Sequence, residues 1–195
     1  MSIIDIMRSR RSVRSYKSAL LTDEQIEAIL EAGMMAPSAH NLQSWSFIVV
    51  TNRDVINRLS ASVQGYLNDR VEADDAVSHF GSEERVDRVK KRLELKEDTV
   101  FYGAPCVVLF VVEKGKEYAP MDCGMASQNM ALYAREQGIG SCVIGYARYV
   151  AREELIKVGM KDSQELMFGM VFGHSDDMDG QGLDRDFDKI QRWVK

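Results

Sequence analysis

The sequence is short of the residues that build metal centres and disulfide frameworks. It holds three cysteines and three histidines. Cys106, Cys123 and Cys142 form no CxxC pair and sit in apolar surroundings, a pattern of buried free thiols in a reducing compartment rather than of a zinc site. Proline is equally scarce. Three prolines in 195 residues leave little room for a flexible linker, and no repeat or low-complexity tract is visible. No apolar run approaches the length of a membrane span. Met1-Ser2-Ile3-Ile4-Asp5 leads into no long apolar core and no small-residue cleavage site, so a signal peptide is not expected and the cytoplasm is the expected setting. A basic excess is also missing. With 25 Lys and Arg against 30 Asp and Glu, the net charge of -5 excludes general attraction to nucleic acid or to an anionic membrane. Nor is there a dinucleotide fingerprint: Gly138-Ile139-Gly140 does not follow a strand and open a helix.

What is present is ordinary for a folded chain, with 45% hydrophobic and 28% charged residues, and predicts one domain over 1–195. A short helix is expected from Ile3 to about Arg8, with Ile3, Ile6 and Met7 inward. Thr22 and Gln25 read as a capping box for a second helix carrying Ile26, Ile29, Leu30 and Gly33 at helical spacing. After a loop over 36–44, Trp45 to Val50 reads as a strand. Asp54 to Leu59 suits a helix, and 82–98 a charged surface helix with Val86, Val89 and Leu93 inward. Pro105 to Val112 is nearly all apolar, as in a strand buried on both faces. Asp122 to Gln137 carries no charge between Asp122 and Arg135, so this helix belongs at the molecular centre or in an interface. Two strands, 141–145 and 166–173, enclose a helix over 153–158. The irregular mixture of helices and strands predicts an α+β fold, not a doubly wound sheet.

Two segments could carry chemistry. Arg10-Arg11-Ser12-Val13-Arg14 stands out against the acidic background. Guanidinium forks and a serine hydroxyl match a phosphate, and an extended backbone lets Arg10, Ser12 and Arg14 share one face. The same residues also suit an exposed basic patch at a helix C-terminus. The second segment is Ala36-Pro37-Ser38-Ala39-His40-Asn41-Leu42-Gln43-Ser44-Trp45. Its small residues allow a backbone to approach a flat ligand, and Asn41 and Gln43 both donate and accept. It reads equally as a helix-stopping loop with Pro37, Ser38 and Asn41 as turn residues.

Taken together, these segments resemble the N-terminal signature of the nitroreductase family. The resemblance continues through Gly103-Ala104-Pro105, Asp122-Cys123-Gly124-Met125-Ala126-Ser127-Gln128-Asn129-Met130 and Gly138-Ile139-Gly140-Ser141-Cys142, and closes with Gly169, Gly173 and Arg185. It implies an α+β homodimer with a mostly antiparallel central sheet flanked by helices and two FMN sites at the subunit interface. It assigns Arg10, Arg11, Ser12 and Arg14 to the FMN phosphate and ribityl chain, and Pro37, Ser38, Ala39 and Asn41 to the flavin from the other subunit. Ile144 and Gly145 correspond to the strand-end pair beside the ring, and Arg185 to a late basic residue at the phosphate. The helix around Gln128 to Leu132 would be interface core. The implied activity is NAD(P)H-dependent reduction of a small acceptor, such as a nitroaromatic or quinone, by ping-pong hydride transfer. In that scheme the flavin carries the chemistry, so no side chain is assigned as catalytic and His40 reads as a polar loop residue.

The sequence departs from the family pattern in having Ser44 where proline is common, and in the acidic neighbours Asp184 and Asp186 of Arg185. Residues 61–98, where acceptor pockets differ between members, match no familiar pattern. Three alternatives remain open at this level: a reductive dehalogenase-type member of the same fold, a flavin-binding or sensing protein, and a ligand-free interaction module. The acceptor and the choice between NADH and NADPH are not legible.

Overall fold

A computed structural model describes residues 2–95, 97–178, 185, 186, 189 and 191–194. At its centre lies a four-stranded sheet of β1 (Ser46–Val50), β2 (Cys106–Glu113), β3 (Gly140–Ile144) and β4 (Gln164–Gly173). The strand order is β1-β2-β4-β3, and every neighbouring pair is antiparallel. Around it stand α1 (Ile3–Ser9), α2 (Asp23–Met34), α3 (Arg53–Val71), α4 (Ala76–Phe80), α5 (Glu83–Leu93), α6 (Ala119–Glu136) and α7 (Arg152–Lys157). The α+β class expected from the sequence is the class observed.

The two-residue period of β2 explains its continuous apolarity. Val107, Leu109 and Val111 join a core with α3, α5 and α7, while Cys106, Val108, Phe110 and Val112 join a second core with α2 and α6 on the opposite face. Both faces are covered, so neither set can be polar. The register with β4 shifts between Phe110 and Val111, which oppose Phe168 and Leu166 and leave Met167 over. Such a bulge bends a strand and sharpens its twist.

The capping box of α2 forms as the sequence predicts: Thr22 Oγ1 accepts from the Gln25 amide at 3.2 Å, and Gln25 Oε1 accepts from the Thr22 amide at 2.9 Å. Other expectations need correcting. In α1 only Ile6 is buried, whereas Ile3 and Met7 are exposed. The segment expected to end at Leu59 continues as α3 to Val71, because Ile56, Leu59, Val63, Leu67 and Val71 keep one buried apolar residue per turn. Polar residues between them hide that stripe from a short window. The five-residue α4 was not anticipated. Among the described residues, no helix is long and apolar enough to cross a membrane.

Candidate functional site

The arginine segment leaves α1 at its C-cap, Arg10, whose backbone is extended and whose amide donates to Ile6 O. It then runs beside the sheet edge. Ser12 forms a parallel bridge to Ser141, and the Val13 amide donates to Ser141 O at 3.0 Å. Val13 is buried, which sets the alternation: Ser12 and Arg14 turn outward. The approach is close at Gly140, where a Cβ would come within 3.1 Å of both Val13 methyls. Tyr16 locks the far end, donating from its hydroxyl to Val13 O at 2.8 Å.

Cations converge here. Burial depresses the Arg10 pKa, and the charge of Arg185 depresses it further. Arg11 Nε is buried with no hydrogen-bond partner among the described residues. Arg135, at the end of α6, donates from Nε to Ser9 Oγ at 3.0 Å and from Nη1 to Met178 O at 3.0 Å. Arg10, Arg11 and Arg135 line one depression with Gly140 and Ser141. Cys142 lies at the same edge. Burial pushes its thiol pKa up, and Arg14, Ser12, Arg10 and Arg92 act against that shift. Arg10, Arg11, Ser12, Arg14 and Arg185 therefore lie close together at this edge.

The second segment lies elsewhere. The 36–43 loop starts where α2 ends and makes a short 3-10 turn over Ala39–Asn41. His40, Asn41 and Gln43 have φ of 51°, 54° and 46°, a left-handed run unusual for non-glycine residues. Internal bonds support it: Gln43 N donates to Ser38 Oγ at 2.9 Å, and Gln43 Nε2 to Asn41 Oδ1 at 3.1 Å. The loop is fixed to the body by the Ala39 amide, which donates to Asp122 Oδ1 at 3.0 Å. Asp122 is fully buried near the start of α6, and its Oδ2 has no hydrogen-bond partner among the described residues. Pro37 and Asn41 remain exposed.

The two segments are thus tied to opposite ends of one helix. Ser9 is held at Arg135 and Ala39 at Asp122, anchors about 20 Å apart along the axis of α6. One chain does not bring them together. Ile144 and Gly145 mark the end of β3; Ile144 is buried and Gly145 exposed. A cleft of 430 Å³ lies beside the arginine segment, lined by Arg14, Tyr16, Arg92, Asp98, Tyr102 and Gly103 among others. Asp98 shapes its wall: Oδ1 accepts from Ser60 Oγ at 2.6 Å, Val100 N at 3.0 Å and Phe101 N at 2.9 Å. Sequence reasoning missed Arg92, Asp98 and Arg135, because tertiary contacts and not local motifs give them their positions. Asp122 was noticed as the head of a helix and of a family motif, but not as the anchor of the 36–43 loop.

The sheet edge thus gathers guanidinium and hydroxyl donors around one depression. Comparison with known proteins gives the family: the chain belongs to the Nitroreductase family, whose model matches residues 7–174. It is 29% identical over 198 residues to the 4-nitrobenzoate reductase of Pseudomonas putida, covering 88% of this chain and 85% of that one. It is 28% identical to the NADPH-flavin oxidoreductase of Vibrio harveyi, across 89% of this chain and 65% of that relative. Among solved structures, an FMN-bound nitroreductase from Desulfitobacterium hafniense superposes with a TM-score of 0.83 at 27% identity, over the whole of both chains.

Proposed function

We propose that two copies of this chain form a homodimer that holds FMN at the subunit interface and reduces a small acceptor at the expense of NADH or NADPH. The chain is an FMN-dependent NAD(P)H oxidoreductase. The residues at the sheet edge fit the cofactor. Arg11 has a buried Nε without a hydrogen-bond partner among the described residues, and Arg10 and Arg185 act on each other as like charges, a combination that a phosphate dianion relieves. Arg10, Arg11, Ser12, Arg14 and Arg185 would hold the phosphate and ribityl chain. Ile144 and Gly145 would lie against the ring, with Pro37, Ser38, Ala39 and Asn41 contributed by the partner. When bound, FMN supplies hydride chemistry, accepting from the nicotinamide and giving to the acceptor in two successive half-reactions. The protein's part is to orient the cofactor and keep one face open to donor and acceptor in turn. The relative named for 4-nitrobenzoate supports a nitroaromatic acceptor.

The observation that carries this reading is the distance between the two binding segments along α6, which the loop of a second copy would bridge. Exposed apolar side chains support the same conclusion. Met121 and Met125 on α6, Met34 and Met35 at the end of α2, and Leu42 in the loop are all open to solvent in a single chain, the kind of surface that marks an interface.

Complementation tests it. One chain carries Arg10→Ala with Arg11→Ala, the other Ser38→Ala with Asn41→Ala, and the mixed dimer is isolated with two affinity tags. Each homodimer should lose FMN, and the mixed dimer should recover one FMN per dimer. A mixed dimer as flavin-poor as its parents would mean that both segments serve the same subunit.

A further inference from the structure

A second group of arginines, outside the proposed flavin segments, lies between α5 and the turn that follows β3. A cleft of 280 Å³ there is lined by Arg85, Arg88, Arg92 and Arg148, with His79 and Tyr149 among its walls. On α5, residues 85, 88 and 92 follow helical spacing and fall on one face. That face turns to the cleft, while Lys90 on the same helix leaves it to pair with Glu72 at 2.9 Å.

In a chain of net charge -5, these arginines would be expected to meet carboxylates. Among the described residues only Arg88 does, through an exposed pair with Glu84 at 2.5 Å, the sort of contact that stabilises little. The other three are oriented by neutral groups. Arg85 Nη1 donates to Phe80 O at 3.3 Å. Arg92 donates to Thr99 O and to the Tyr102 hydroxyl. Arg148 stands over the Tyr149 ring at 5.1 Å. Such contacts fix a guanidinium without neutralising it, which is how a protein prepares an anion site. The floor is aromatic: Tyr149 stacks on Tyr66 with centroids 4.5 Å apart and planes 16° from parallel, and His79 Nε2 lies 3.4 Å from the Tyr149 hydroxyl.

The position links the cleft to the flavin site. Arg148 and Tyr149 belong to the 3-10 turn Gly145–Tyr149 that directly follows Ile144. Arg92 lines both this cleft and the larger one containing Arg14.

We propose that this cleft binds the oxyanion of an aromatic ligand, either a carboxylate carried by the acceptor or the 2′-phosphate of NADPH. Its catalytic consequence rests on the flavin reading, but the binding itself does not. A carboxylate held by Arg85 and Arg148 within this aromatic-walled cleft would favour acidic aromatic acceptors over neutral ones of the same shape.

Calorimetric titration of the purified protein tests this without turnover. One pair of ligands is 3-nitrobenzoate and its methyl ester; the other is NADP⁺ and NAD⁺. In at least one pair the more anionic member should bind about tenfold tighter. That preference should fall to near unity in Arg85→Gln/Arg148→Gln and shrink in high salt. A preference in the first pair assigns the cleft to the acceptor, and in the second to the nicotinamide cofactor. Equal binding within both pairs, no binding of either anion, or a preference that survives the double substitution would overturn the proposal. Flavin content is read separately by absorbance, so a protein that selects the anion yet binds no FMN would overturn the flavin reading and leave this one standing.

Discussion

Arg11 has its Nε buried without a hydrogen-bond partner among the described residues, and Arg10 is held where burial and Arg185 both disfavour its charge. Side chains so placed are poised for an anion, and removing one should be felt in ligand affinity. Arg11→Ala is expected to weaken FMN binding by about 1.5–3 kcal/mol, the usual scale for a hydrogen bond to a charged group, which fluorescence titration with FMN would read as an increase in Kd of roughly 10- to 100-fold. An unchanged Kd would return Arg11 to a structural role. The thiols behave in the opposite sense. Burial raises Cys106 from 9.0 to about 12, and burial, with the Asp122 charge, raises Cys123 from 9.0 to about 12. Both stay protonated and neutral in the folded chain. Because the folded pKa lies above the unfolded value, the stability they contribute is complete below pH 9.0 and is lost as pH rises towards 12. A disulfide reagent at pH 8 should therefore leave both unlabelled until the chain is unfolded, and rapid labelling of the native protein would contradict their burial. At this scale the sequence was legible where a motif is contiguous, as in 10–14. It was silent on Arg92, Arg135 and the anchoring role of Asp122, which depend on residues far away in the chain.

The helices and strands were legible wherever periodicity is strong over a short window. β2 was readable because both its faces are buried, and α2 because its cap and stripe agree. The length of α3 was not, since its apolar residues recur only once per turn among charged ones. Two element-level tests follow from these contacts. Thr22→Ala removes the side-chain acceptor at the start of α2 and should cost about 1 kcal/mol of stability, measurable as a shift in urea midpoint; no shift would mean that packing alone fixes the helix start. Gly173, at the end of β4, has no room for a methyl group, since a Cβ would lie 2.6 Å from Pro105 Cδ and 3.0 Å from Tyr16 Cδ1. A proline ring cannot turn aside, so Gly173→Ala is expected to destabilise by about 1–3 kcal/mol. It should also disturb the segment that Tyr16 locks. α6 joins these local features to function. One face packs on the sheet, and its two ends hold the arginine segment and the 36–43 loop apart.

Whole-molecule organisation was the part least accessible to local reasoning. Motif order gave the family, yet the separation of the two binding segments along α6 appears only in the folded chain. That separation, with the open Met121 and Met125, makes dimerisation a requirement of the proposed site. Met121→Asp with Met125→Asp should shift the protein towards monomer in light scattering and release FMN in parallel; a monomer that keeps FMN at unchanged affinity would break the link. The central claim is that this chain carries FMN and passes hydride through it. An absorption spectrum of the FMN-reconstituted protein, followed anaerobically on addition of NADH or NADPH, tests it most directly. The account predicts a bound-flavin spectrum that bleaches with one nicotinamide or both and returns on addition of a nitroaromatic acceptor. A protein that binds no FMN, or holds FMN that neither nicotinamide bleaches, would contradict it.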